Sequence, residues 1–98
     1  MGTWYVIDTV QVNNVIEKCI VVQDIPTFKK LWYESRTQIA DYINDSKYVY
    51  KTAYFDDNQQ KYISGATIYT YGVNKRFLKT YSNDTAKDNL DNLPGFKM

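Results

Sequence analysis

The most constraining feature of this chain is Asn13-Asn14, set between two stretches of strand-forming residues. Residues 3–12 (Thr-Trp-Tyr-Val-Ile-Asp-Thr-Val-Gln-Val) and 15–23 (Val-Ile-Glu-Lys-Cys-Ile-Val-Val-Gln) are dense in β-branched and aromatic side chains. Such side chains suit a pleated, half-buried surface. Asn accepts a positive φ more readily than any residue except Gly, so the pair fits a two-residue type I′ hairpin turn. That turn sets Val12 opposite Val15, Val10 opposite Glu17, Asp8 opposite Cys19 and Val6 opposite Val21. One face then carries Trp4, Val6, Val10, Val12, Val15, Cys19 and Val21, and the other Tyr5, Ile7, Ile16, Ile20 and Val22. An antiparallel hairpin with one wet face would alternate with polar residues. This one is apolar on both, so it is either central in a sheet and covered twice or leaves a face for a partner, which admits a homodimer.

Downstream, Asp24-Ile25-Pro26 has the form of a helix start, with Asp able to cap free amides and Pro tolerated in the first turn. Phe28, Leu31, Trp32, Ile39, Tyr42 and Ile43 follow at helical spacing, with Ser35 on the same stripe. The spacing predicts a long amphipathic helix over residues 26–44, with Lys29, Lys30, Glu34, Arg36 and Asp41 facing solvent and Tyr33 off the stripe. Residues 47–55 alternate as a third strand, residues 56–60 form a polar turn, and residues 61–71 read as a fourth strand with a bulge at Gly65. Phe77, Leu78 and Tyr81 fall at helical spacing in residues 74–81. Asp84 can cap a last short helix bearing Ala86, Leu90 and Leu93, stopped by Pro94-Gly95. The expected architecture is α+β in the order ββαββα(α), a single domain over residues 1–98. It has a four-stranded, largely antiparallel sheet, with the long helix and the C-terminal short helices packed mainly on one face.

Composition bounds the chemistry. The 98 residues suffice for one core, and they include no histidine, one cysteine and ten tyrosines. Disulfide frameworks, Cys/His zinc sites and His-dependent nucleophile systems all need residues that are absent. The net charge of +1 supplies no global field toward nucleic acid or an anionic membrane. There is no apolar run long enough to span a bilayer. Cys19 in an apolar setting fits a reducing compartment, and Met1-Gly2-Thr3-Trp4-Tyr5-Val6 lacks a basic and apolar leader pattern, so a cytoplasmic location is expected. Heavy use of Asn, Ile, Lys and Tyr with few Ala and Gly points to AT-rich coding, as in a low-GC bacterium or its phages and mobile elements.

Without histidine, acid–base work at neutral pH falls to carboxylates, Lys or Tyr with shifted pKa values. Asp8 lies in an apolar strand and is the most suggestive carboxylate, though a hydrogen bond to a neighbouring hydroxyl or amide accounts for it as well. Asp56-Asp57-Asn58 has the composition of a hairpin turn, and Asp84, Asp88 and Asp91 lack the glycine and terminal glutamate of a calcium loop. Asp45-Ser46-Lys47 matches the end of a metal-nuclease Asp/Glu-x-Lys element, which with Asp8 defines a metal-dependent nuclease reading. No catalytic residue, metal or cofactor is assigned.

The second hairpin is the richest segment. Residues 47–79 carry six basic against two acidic side chains, interleaved with tyrosines. Tyr48, Tyr50, Lys51, Tyr54, Tyr62, Tyr69, Tyr71, Lys75 and Arg76 are the expected partner-binding residues. Exposed Tyr and Arg dominate protein interfaces. Tyrosines flanked by cations also stack single-stranded bases, which gives a nucleic-acid-binding module as the alternative and the nuclease as a second one. The leading expectation is a small non-enzymatic protein, encoded by a phage or mobile element, that binds and inhibits a host or defence protein through this Tyr-rich basic hairpin.

Overall fold

The computed structural model describes residues 2–13, 15–25, 27–80 and Leu90. The asparagine turn and its hairpin are present: β1 (Gly2–Val12) pairs antiparallel with β2 (Val15–Val22), and Asn13 takes φ 53°. Val12 faces Val15 and Val6 faces Val21 as the turn dictates, but the register slips between those ends. Val10 lies opposite Lys18 and Asp8 opposite Ile20, because Glu17 is an extra residue on β2 and Ile7 an extra residue on β1. Two opposed bulges therefore cancel. Each bulge reverses the alternation of its strand locally, which places Ile16 in the same cluster as Cys19 instead of opposite it.

The remaining architecture corrects the four-stranded expectation. The sheet has six strands in the order β3-β2-β1-β4-β5-β6, it is mixed, and among the described residues it carries one α-helix. The further elements are β3 (Trp32–Ser35), α1 (Arg36–Asn44), β4 (Tyr48–Asp56), β5 (Lys61–Tyr71) and β6 (Phe77–Thr80). β1 runs parallel to β4, with Gly2 opposite Tyr48 and Val6 opposite Thr52, while the other pairings are antiparallel.

The helix expected over residues 26–44 is formed only in its second half. Phe28 and Lys30 take φ 53° and 57°, which no α-helix accommodates. Asp24 binds the Thr27 hydroxyl at 2.7 Å and shares an isolated β-bridge with Lys29. Trp32–Ser35 instead pairs with the open edge of β2, setting Trp32 opposite Val21 and Glu34 opposite Cys19. Four residues of strand satisfy backbone groups of β2 that a helix over the same residues would leave unpaired. Ser35 then caps α1, its hydroxyl accepting from Gln38 N at 3.2 Å.

The C-terminal expectation is corrected likewise. Residues 73–75 make a short 3₁₀ turn entered at Gly72, and Phe77 and Leu78 belong to β6 rather than to a helix. Gly72 is required here: it has φ 83°, and a Cβ would meet the Phe77 ring at 2.7 Å. The helix expected after Asp84 lies outside the described residues. The Gly65 expectation is met, since the register of β4 on β5 shifts where Thr52 opposes Gly65 and Ala66. Thr52 Oγ1 fills the bulge by accepting from Ala66 N at 3.0 Å.

The sheet is covered twice, which explains the doubly apolar hairpin. Val6, Cys19, Val21 and Tyr50 pack under Ile39 and Ala40 of α1. Ile7, Ile20, Val22 and Ala53 form a second, smaller cluster under Ile25 and Phe28 of the β2–β3 connection. Ile16 of β2 and Leu78 of β6 share the first cluster although four positions apart in strand order, so the sheet curls around α1.

Candidate functional site

Alternation along β4 directs Tyr48 and Tyr50 toward α1. Tyr50 is 1% exposed and donates its hydroxyl to Glu34 Oε1 at 2.6 Å. Burial, then the hydrogen bond to Glu34, raises its pKa above the ordinary tyrosine value. This part-buried pair ties β4 to β3 across two intervening strands. Tyr48 is half-buried, its ring edge-on to Trp4, Tyr42 and Tyr50 at centroid distances of 6.2, 5.1 and 6.4 Å. Tyr62 lies on the opposite face against Phe28 and Phe55, with ring centroids 4.9 and 5.6 Å away. Tyr54, Tyr69 and Lys51 are half-buried. Tyr71, Lys75 and Arg76 are exposed, and Lys79 Nζ stands 6.0 Å from the Tyr71 ring centroid. The hairpin therefore divides its tyrosines between two cores and a rim instead of presenting them on one surface.

The exposed aromatic residues gather elsewhere. β3 ends the sheet order, and Trp32 and Tyr33 on it are 66% and 55% exposed. Their register partners, Val21 and Ile20, belong to the two different core clusters, so Trp32 and Tyr33 flank the strand edge from opposite faces. Leu31 is also exposed, as are Lys18, Lys29 and Lys30 around it, with Lys18 Nζ 5.3 Å from the Tyr33 centroid. Sequence reasoning placed Trp32 on a buried helical stripe. The available signal was the strand propensity of Trp32-Tyr33, which competed with helical spacing and lost.

The carboxylate candidates occupy structural positions. Asp8 Oδ1 accepts from Thr9 N at 2.8 Å beside the bulge in β1. Asp56 accepts from Asn58 N at 3.0 Å and from Gln59 Nε2 at 2.9 Å, an arrangement that closes its own turn. Asp45 ends α1, and Lys47 Nζ lies over the rings of Tyr42 and Tyr48, 5.1 and 5.7 Å from their centroids. Among the described residues no three of His, Cys, Asp and Glu are grouped to hold a metal ion. Asp84, Asp88 and Asp91 lie outside them. Cys19 is fully buried, and burial first, then the charges of Glu34 and Asp8, pushes its thiol up to about 12. It is packing material, not a nucleophile.

No family model, curated protein or solved structure matches the chain. Among the described residues no helix is long and apolar enough to cross a membrane.

One further group departs from expectation. Arg36, read from the sequence as a solvent-facing helix residue, lies 4.6 Å over the Phe77 ring, and its Nε and Nη1 are buried with no hydrogen-bond partner among the described residues. It borders a cleft of about 370 Å³ between the β1–β2 hairpin tip and the β5–β6 end of the sheet.

Proposed function

We propose that this chain is a non-enzymatic protein-binding module that receives an extended segment of a partner protein along the outer edge of β3, the end strand of the sheet among the described residues. The observation that carries this reading is the pair Trp32 and Tyr33, largely exposed on either side of the outermost strand. A sheet edge offers unpaired backbone donors and acceptors to an added strand, and flanking side chains supply the selectivity. Trp and Tyr are also the residues that most often dominate binding energy. Lys18, Lys29 and Lys30 around the edge favour a segment that carries acidic residues. Capturing such a segment is a direct way for a small chain to block another protein, and inhibition of a host or defence protein is the role we propose for it. The nucleic-acid reading has less support, because Tyr50 is enclosed and Tyr48 packs edge-on among other rings.

The test is capture from a lysate of an AT-rich bacterial host, comparing the wild type with a Trp32→Ala/Tyr33→Ala variant and a Tyr71→Ala/Arg76→Ala variant. The β3 edge predicts that the first variant loses the captured protein and the second keeps it. In the complex, amide exchange should slow in β3. Retention by the first variant, or loss only by the second, would return the contact surface to the β5–β6 side. A partner that is a second copy of this chain would appear as a dimer in sedimentation at micromolar concentration.

A further inference from the structure

The outer rim of the sheet at β3 is longer than the strand itself, and its two sides are unlike. The isolated bridge between Asp24 and Lys29 lies in the register of β2 on β3, three pairs beyond Val21 and Trp32. The ladder therefore continues past Lys30, which interrupts it with φ 57°. Lys29, Lys30, Leu31, Trp32 and Tyr33 are all exposed along this rim.

Residues paired across two strands share a face of the sheet. Trp32 and Glu34 are paired with Val21 and Cys19, which lie under α1. Tyr33 is paired with Ile20 of the loop-covered cluster, and Lys18, with Nζ 5.3 Å from the Tyr33 centroid, shares its face. Lys29 and Lys30 belong to the connection that covers the same face through Ile25 and Phe28. Two carboxylates close by are engaged, Glu34 by the Tyr50 hydroxyl and Asp24 by that of Thr27. The exposed Glu17 leaves the three exposed lysines in excess. The rim thus offers cations on the Tyr33 side and an apolar indole on the Trp32 side.

Side chains of a strand alternate between the two faces. A strand added to this rim would set every second residue toward Tyr33 and the lysines, and the others toward Trp32. Acidic residues suit the first set, because opposite charges on neighbouring strands attract, and apolar residues suit the second. A slip of one residue exchanges the two sets, so the rim reads alternation rather than composition. A second copy of this chain does not supply the pattern, since none of its 11 acidic residues stands two positions from another.

We propose, on the reading that β3 receives an extended segment, that this segment alternates acidic and apolar residues and comes from a protein other than this one. Its acidic side chains lie on the face of Tyr33 and Lys18, and its apolar side chains lie against Trp32.

NMR titration of the full chain with capped peptides about as long as the rim decides the point, followed at the Trp32 indole N–H and the β3 amides. The first peptide alternates Glu and Val. The second holds the same residues with every Glu before every Val, the third alternates Lys and Val, and the fourth alternates Glu and Ser. The first should bind saturably with a Kd of about 1 mM or tighter, and less tightly as salt is raised. The second and fourth should bind at least about threefold more weakly, and the third at least about tenfold more weakly. Lys18→Gln/Lys29→Gln/Lys30→Gln should weaken the first peptide about tenfold and remove its advantage over the third. If that variant does not fold, Lys18→Gln alone should weaken the first peptide about threefold. The proposal is overturned if the second or third peptide binds as tightly as the first, if the lysine variants bind it as the wild type does, or if no peptide moves the Trp32 and β3 signals. In each of these outcomes the edge itself still stands where capture from the lysate depends on Trp32 and Tyr33, and it falls where capture does not.

Discussion

The two faces of the sheet are covered in different ways, and the contrast explains which parts of the fold are firmly held. On one face α1 lays Ile39 and Ala40 over Val6, Cys19, Val21 and Tyr50, and Tyr50 adds a hydrogen bond to Glu34. On the other, Ile7, Ile20, Val22 and Ala53 are covered by the β2–β3 connection, which reaches them through Ile25 and Phe28. A helix brings its own satisfied backbone to the interface. A loop must be bent into place, and here Phe28 and Lys30 adopt positive φ to do it, each at a cost of order 1 kcal/mol. The loop-covered face also leaves the Tyr62 hydroxyl buried without a partner among the described residues. The helix face should therefore hold the fold together, and the loop face should tolerate change.

The sharpest way to break this contrast is Tyr50→Ala. It empties a fully buried aromatic position and strands the Glu34 carboxylate, so a loss of about 3–5 kcal/mol is expected in urea unfolding. A loss no larger than that from Phe28→Ala would mean that the two faces carry equal weight.

Alkaline pH tests the helix face through Cys19. The unfolded chain releases the thiol proton near 9.0, whereas the folded chain holds it to about 12. The native state binds the extra proton throughout that window, so this stability is fully present below 9.0 and is lost as pH rises toward about 12. The slope contributed is about 1.4 kcal/mol per pH unit at its steepest. Tyr50, also raised, acts in the same direction above the ordinary tyrosine range. Cys19→Ala should flatten the decline in stability measured by urea unfolding between pH 9 and 11, within the window from 9.0 to about 12. An unchanged slope would count against the burial of this thiol.

Phe28→Ala should cost less, about 1–3 kcal/mol, because the residue is only half-buried, and its positive φ is unchanged since Ala keeps the Cβ. Amide exchange should accelerate around residues 23–31 while α1 stays protected. The smallest effect is expected of Tyr62→Phe, which removes a buried hydroxyl that has no partner among the described residues. Its stability should change by less than about 1 kcal/mol, toward greater stability. A clear loss would show that the hydroxyl is satisfied and that the loop face is better built than its geometry indicates.

Legibility in the sequence followed the range of the interactions involved. The first hairpin was readable because Asn13 and the flanking β-branched residues act locally, and β5 was readable over all of Lys61–Tyr71. The two opposed bulges were not, since Glu17 and Ile7 carry no marker of an unpaired position. Phe28, Leu31 and Trp32 keep helical spacing yet form a loop and an edge strand, because β2 presents an unpaired edge that only tertiary structure reveals. Phe77 and Leu78 likewise have helical spacing yet form a strand, because β5 presents them an unpaired edge. Of the candidate contact residues, Tyr71, Lys75 and Arg76 are exposed, while Tyr50 is enclosed. Tyrosine serves core and surface alike, so its frequency does not disclose its position.

By itself the sequence determined the turn after Val12, the polar turn over residues 56–60, the doubly apolar first hairpin and the absence of histidine-based chemistry, because each depends on neighbouring residues or on composition. Only the tertiary structure decided that β1 runs parallel to β4, that Glu34 meets Tyr50, that Trp32 and Tyr33 flank the outer edge of β3, and that Arg36 borders a cleft. These features join residues distant in the chain or depend on which strand is left outermost. Local propensity constrains neither, since the free energy that selects such pairings comes from burial shared across the whole sheet.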